Sequence, residues 1–193
     1  MRSFVALIAV VGIAFGFRAA GTEARAAAAG APDPKLIVLT LGDAPKGFAF
    51  GKAGYLSNRA ATARDPAKRD FARFGRVGGY VADFHGPSGG RVESVASTYA
   101  SVAWAHRAFL RNIASPERMK PGVRRLRLGV GLGDEARIYT SNAGPATAGF
   151  LVIWRTRSVY AGVWEAGPLG ALSKREVVDL ARKQQARILH ALR

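Results

Sequence analysis

"AGFLVIWRTRSVYAGVWEAG", residues 148–167, is the stretch whose reading decides the fold. Two apolar runs rich in β-branched and aromatic residues flank a short polar break, which is the pattern of a β-hairpin. With Thr156 and Arg157 as a two-residue loop, Arg155 pairs with Ser158 and the register follows. One face then carries Phe150, Val152, Trp154, Val159, Ala161 and Val163, all apolar. The other carries Leu151, Ile153, Arg155, Ser158, Tyr160, Gly162 and Trp164. Large aromatic and aliphatic groups beside an arginine are the make-up of a ligand surface, so Leu151, Ile153, Arg155, Tyr160 and Trp164 are candidate ligand-binding residues. Two readings of that face stand. Either "KLIVLTL" (35–41) and "GFAF" (47–50) cover it as core, or it is open to a ligand or partner. Neither threonine nor arginine favours positive φ, so a longer loop would shift the register by one and exchange the faces.

The rest of the chain extends the antiparallel pattern. "RVGGYVADFH" (76–85) and "RVESVAS" (91–97) read as strands joined by the turn "GPSGG" (86–90). In "TYASVAWAHRAFLRNIAS" (98–115) the period changes to helical, with Tyr99, Val102, Ala103, His106, Phe109, Leu110 and Ile113 on one face. "RRLRL" (124–128) and "ARIYTS" (136–141) are further strand candidates. Asp65 and Pro66 read as an N-cap and first turn for a short helix, "AKRDFARF" (67–74), closed by Gly75. "KLIVLTL" fits strand or helix equally. Ser173 and Glu176 form a capping box for a last helix carrying Val177, Val178, Ala181, Ile188, Leu189 and Leu192. Arg182, Lys183, Arg187 and Arg193 suit the negative end of its dipole. The expectation is an α+β domain over 35–193, an antiparallel sheet of about five strands with two main helices packed on one face.

Before that domain, Arg2 and the apolar run Phe4–Phe17 followed by Ala24-Arg25-Ala26 have the form of a secretory signal over 1–26. The apolar run is shorter than the roughly 20 residues that span a bilayer, although retention as an anchor is the other reading. Residues 27–34 read as a low-complexity linker. The mature chain is expected in the secreted or cell-envelope compartment. There is no cysteine, which excludes disulfides, thiol nucleophiles and cysteine zinc sites. The formal charge is +16; removing Arg2, Arg18, Arg25 and Glu23 with the signal leaves +14. Such a charge attracts anionic lipid head groups or envelope polymers, while its scatter along the chain fits a generally solvated surface equally.

The motifs with catalytic or cofactor overtones are weak. "GVGLGDEA" (129–136) has glycines at 129, 131 and 133, but the spacing is not that of a dinucleotide loop and a strand pattern follows where a helix is required. It reads as a bend into a strand, with Asp134 and Glu135 at the turn. "GPSGG" formally matches G-x-S-x-G around Ser88, with His85 three residues earlier, yet lies between two strands where a nucleophile elbow needs a following helix. A serine hydrolase is therefore the remote alternative. Three scattered histidines, His85, His106 and His190, carry no zinc spacing. No catalytic residue, metal site, cofactor or specific nucleic-acid partner is expected.

"GDEARIY" (133–139), the "VIWRTRSVYAGV" hairpin (152–163) and the closing "VVDLARKQQARIL" helix (177–189) resemble the extracellular sensor domains of actinobacterial Ser/Thr kinases and related exported proteins of unknown function. The resemblance covers about residues 76–192. It implies a non-enzymatic, sandwich-like α/β domain with a cleft for a small ligand. This chain lacks the disulfide cysteines usual in such domains, and its 193 residues include no kinase sequence. The functional expectation is an exported, non-catalytic binding or sensor-like module for a small apolar or amphipathic ligand. Such a ligand would lie on Leu151, Ile153, Tyr160 and Trp164, with Arg155 pairing an anionic head. The alternative is a basic envelope protein that binds polyanions.

Overall fold

A computed structural model describes residues 31–65, 68–119, 122–144 and 146–193; the signal segment 1–26 and residues 27–30 of the linker lie outside the described residues. Seven strands form one sheet: β1 (Ala49–Tyr55), β2 (Arg76–His85), β3 (Arg91–Tyr99), β4 (Val123–Leu126), β5 (Glu135–Gly144), β6 (Thr147–Thr156) and β7 (Val159–Pro168). Their spatial order is β1-β2-β3-β7-β6-β5-β4, and every neighbouring pair is antiparallel. Helix α1 (Asn58–Arg64) follows β1, α2 (Val102–Met119) links β3 to β4, and α3 (Lys174–Ala191) follows β7. The chain thus makes one meander, crosses under α2 to the far edge, and returns by a second meander to lie beside β3.

The expectation of an α+β antiparallel architecture holds, with two corrections. There are seven strands rather than about five, and the two long helices lie on opposite faces. The reason is in β6 itself. Val152 and Trp154 enter the core beneath α3, whereas Leu151 and Ile153 meet Phe109 of α2. A central strand that is apolar on both faces needs a cover on each.

The decisive hairpin turns one residue later than its sequence suggests. Arg157 and Ser158 form the loop, so Thr156 pairs with Val159 and Arg155 with Tyr160. The pairing slips by two residues, an even number, so the strand residues keep their predicted faces and only Ser158 leaves its face for the loop. Arg157 does adopt positive φ, +50°.

Other segments differ from their sequence reading. "AKRDFARF" is not a helix: among its described residues Phe71–Gly75 is a turn, and the helix lies before Asp65, which caps its C-terminus. "KLIVLTL" is neither strand nor α-helix but two 3-10 turns, Pro34–Ile37 and Leu41–Asp43, and Ile37, Val38 and Leu39 join the α3-side core. The glycine-spaced segment around Gly51 is the edge strand β1, with a bulge between Phe50 and Lys52 where the His85 ring lies over Gly51. In α2 the buried stripe is Ala105, Ala108 and Phe109, while Val102, Ala103 and Leu110 face solvent. Two small residues let that helix sit close on Tyr99 and Tyr160.

In α3 the Ser173 hydroxyl accepts from the Glu176 amide at 3.2 Å, as the capping box predicts. Its basic residues also hold the N-terminal segment: Arg187 pairs with Asp43 at 2.8 Å and Lys183 donates to the Asp43 carbonyl at 2.7 Å. At its centre Gln184, fully buried, accepts from Ser94 and donates to the Val95 carbonyl.

Candidate functional site

The face beneath α2 is the one that carries chemistry. Cross-strand pairing lines up one row over all seven strands: Lys52, Asp83, Glu93, Trp164, Leu151, Tyr139 and Arg125. Directly opposed residues on paired strands point to the same side of a sheet, so this row is charged at one end and aromatic-aliphatic in the middle. Helix α2 covers the middle. Phe109 packs with Tyr139, Leu151 and Ile153, and the Tyr139 hydroxyl donates to the Ile113 carbonyl at 3.3 Å.

The five candidate residues therefore separate into three environments. Leu151 and Ile153 are buried under α2. Arg155 is also buried and is held by two carboxylates: Nε donates to Glu135 Oε1 at 2.6 Å and Nη1 to Asp134 Oδ2 at 2.7 Å. Tyr160 and Trp164 are partly buried and stand at the margins of the helix. The hairpin's second face is thus covered by α2, not by the N-terminal segments, which lie on the opposite face.

Around Arg155 the "GDEARIY" segment finds its role. Gly133, with φ +59°, lets the chain pass against the Arg155 carbonyl, which accepts from the Asp134 amide at 2.7 Å. Asp134 also accepts from the Arg157 amide, bracing the hairpin loop. Glu135 joins Arg155 to His106 of α2. Burial alone would raise the Glu135 pKa, but hydrogen bonds and charge from His106 and Arg155 hold it below the usual carboxylate range.

At the Trp164 margin, Asp83 and Glu93 are each 1% exposed on this face. Arg91 donates to both Asp83 oxygens, at 2.7 and 3.1 Å, and to Glu93 at 3.4 Å, with its guanidinium 5.5 Å from the Trp164 ring centre. The Trp164 ring leans over Gly149. At the Tyr160 margin, Tyr99, Ala105, Ala108 and Trp104 pack together, and Tyr160 hydrogen-bonds Asn112. Burial raises the Tyr160 phenol strongly and the Tyr99 phenol as well; the charges of Arg76, Arg111 and Arg69 pull Tyr99 the other way. Sequence reading passed over Arg76, Arg91 and Arg111, and it placed Tyr99 on the face of the helix, whereas Tyr99 ends β3. Only the strand register and the helix crossing bring them to these margins, and no local signal marks them.

Ser88 lies in an exposed 3-10 turn at φ +53°, flanked by strands on both sides. His85 is exposed and its Nε2 is 3.3 Å from Asp83, which Arg91 already engages; no hydrogen bond joins Ser88 to His85 among the described residues. Among those residues no group of three or more His, Asp or Glu side chains is placed to hold a metal ion. No described helix is long and apolar enough to cross a membrane.

An antiparallel sheet with a long helix on each face defines an α+β domain. Among solved structures, the extracellular domain of PknH from Mycobacterium tuberculosis has this fold: the TM-score is 0.51 at 11% identity, over 82% of this chain and 93% of that one. The resemblance drawn from the sequence is borne out at the level of fold. No protein-family model matches the chain, and no curated protein matches it.

Proposed function

We propose that the chain is an exported, non-catalytic, sensor-like binding module that takes a small amphipathic ligand along the margins of α2. The observation that carries this reading is the row that runs from Asp83 and Glu93 through Trp164 to Leu151 and Tyr139. It places an aromatic face between buried charges and a helix-covered apolar floor, a juxtaposition suited to a ligand with one polar and one apolar side. The extracellular-domain fold of its neighbour supports export and a role without catalysis. Arg155, already bonded to Asp134 and Glu135, anchors the floor, and ligand contact falls to Tyr160 and Trp164. The test is extraction of the natively produced protein and mass spectrometry of the extract, followed by thermal melting with lipids and wall fragments. A co-purifying amphiphile that raises the melting temperature of wild type but not of Trp164→Ala is expected. An empty extract together with unchanged melting across the panel sinks the reading.

A second reading, attachment to anionic envelope polymers, has its own support. Arg107 stacks on Trp104 at 4.9 Å and Arg111 on Phe74 at 3.8 Å, on a chain of formal charge +16. Retention on an anionic matrix should then fall steeply with salt; retention that stays flat removes this reading.

A further inference from the structure

Helix α2 buries Ala105, Ala108 and Phe109 and turns its other side outward. Ala103, Arg107 and Leu110, at helical spacing opposite them, form a stripe that faces solvent. Leu110 is 45% exposed, and Val102 at the start of the helix 51%. The turn Phe71–Gly75 is seated beside this stripe. A Cβ on Gly75, whose φ is +68°, would lie 2.6 Å from the Trp104 ring, and the Arg111 guanidinium lies 3.8 Å from the Phe74 ring centre. On the helix itself the Arg107 guanidinium lies 4.9 Å from the Trp104 ring centre. Arg73, exposed on the turn, is a third cation.

Carboxylates are few here and already engaged. From Val102 to Ile113 the helix carries none. Asp70 Oδ1 accepts from the Ala72 and Arg73 amides at 3.1 and 3.2 Å, and Asp65 accepts from Arg69 Nη2 at 2.8 Å. On the helix's other flank Glu135, which meets His106, is engaged by Arg155. Among the described residues neither Arg107 nor Arg111 pairs with a carboxylate. A guanidinium that lies over an aromatic ring keeps its in-plane N–H groups for oxygens beyond the ring's edge.

We infer that the outer face of α2, with the turn Phe71–Gly75 beside it, docks on an anionic membrane surface. Arg107 and Arg111 meet lipid phosphates, while Leu110 and Val102 enter the headgroup boundary. A solvated polyanion uses the cations alone and leaves both apolar side chains in water, whereas a bilayer interface takes cations and apolar groups together. The formal charge of +16 draws the chain toward such a surface, and the stripe sets which face arrives. The inference rests on the second reading above, attachment to anionic envelope polymers, and narrows it to one face and one occupant. It is independent of the small-ligand reading.

Because the chain has no cysteine, Leu110→Cys and Leu189→Cys each accept a single environment-sensitive fluorophore. The two positions are similarly exposed, 45% and 49%, but lie on helices that cover opposite faces of the sheet. The chain as isolated is mixed with vesicles of phosphatidylglycerol and phosphatidylcholine, with vesicles of phosphatidylcholine alone, and with soluble polyglutamate. The probe at 110 should shift to the blue on the anionic vesicles only, and the probe at 189 should not shift. Arg107→Gln and Arg111→Gln should each weaken sedimentation with anionic vesicles about fivefold, the usual worth of one basic residue near such a surface. Arg175→Gln, on α3 with its side chain 92% exposed, should weaken it less than twofold. A silent probe at 110 overturns the inference, as does an equal shift at both positions. Equal binding to phosphatidylcholine alone also overturns it, since that is the mark of the N-terminal apolar run, and so does a loss in Arg175→Gln that matches the α2 variants. Salt-sensitive binding to polyglutamate with no response at 110 keeps the polymer reading while removing this one; binding to neither removes both.

Discussion

His106 Nδ1 lies 2.7 Å from Glu135 Oε1, and the same oxygen accepts from Arg155 Nε at 2.6 Å. One carboxylate therefore ties the helix that covers the sheet to the strand pair beneath it. Because its pKa is lowered by folding, Glu135 contributes stability that is fully present above its unfolded value, ordinarily 4.5, and is lost as pH falls through the folded value. Glu135→Gln should cost about 2 kcal/mol at neutral pH, a typical figure for a hydrogen bond to a charged group. The cost should shrink in strongly acidic solution. Urea unfolding of both proteins at neutral and acidic pH measures it, and a pH-independent difference would contradict the assignment.

Glu165 behaves in the opposite sense. It lies on the α3 face, 1% exposed, and its Oε2 has no hydrogen-bond partner. Burial first, and then the charge of Glu176, raises its pKa from 4.5 to about 7. Between those values the folded chain keeps a proton that the unfolded chain has released, so stability falls as pH rises through this window and levels off above it. Glu165→Gln removes that loss. It should stabilise the protein above pH 7 by on the order of 2 kcal/mol, and give no comparable gain near pH 4. Thermal melting across that range reads both ends.

The glycines of "GVGLGDEA" separate by geometry. Gly133 holds φ +59° and faces the Arg155 carbonyl and Trp154, whereas a Cβ on Gly131 would meet nothing within 4 Å. Gly133→Ala should destabilise by more than about 2 kcal/mol, through strain and displacement of Arg155. Gly131→Ala should lie within about 0.5 kcal/mol of wild type. Equal effects in denaturant melts would show that the bend does not depend on the close approach at 133.

Gln184 joins three parts of the α3-side core. Ser94 Oγ donates to its Oε1 at 2.8 Å and accepts from the Leu39 amide at 3.0 Å, while Gln184 Nε2 donates to the Val95 carbonyl at 2.9 Å. Gln184→Leu leaves a buried hydroxyl and carbonyl short of a partner and should cost about 2–3 kcal/mol. Hydrogen exchange should show the Leu39 amide opening well before the sheet amides. Uniform loss of protection would argue against this local anchoring role.

The sequence by itself determined the antiparallel hairpins, the extents of β2 and α3, the Ser173 cap and the composition of the two hairpin faces. These follow from period-two and 3.6-residue patterning and from local turn chemistry, which act over a few residues. It also indicated that "GVGLGDEA" is a bend, because a strand pattern follows it. Tertiary structure decided the rest. Which helix covers which face depends on every apolar surface finding a cover at once, and β6, apolar on both sides, forced α2 and α3 apart. The edge strand β1 was hidden by its glycines, whose place is set by the His85 ring across the ladder. Charge pairing was equally illegible. Arg155 is taken up by Asp134 and Glu135, twenty-one and twenty residues earlier in the chain, whereas Arg76 meets only neutral acceptors and lies opposite Tyr99. An arginine's partners are fixed by strand register and burial in three dimensions, and no spacing along the chain encodes them.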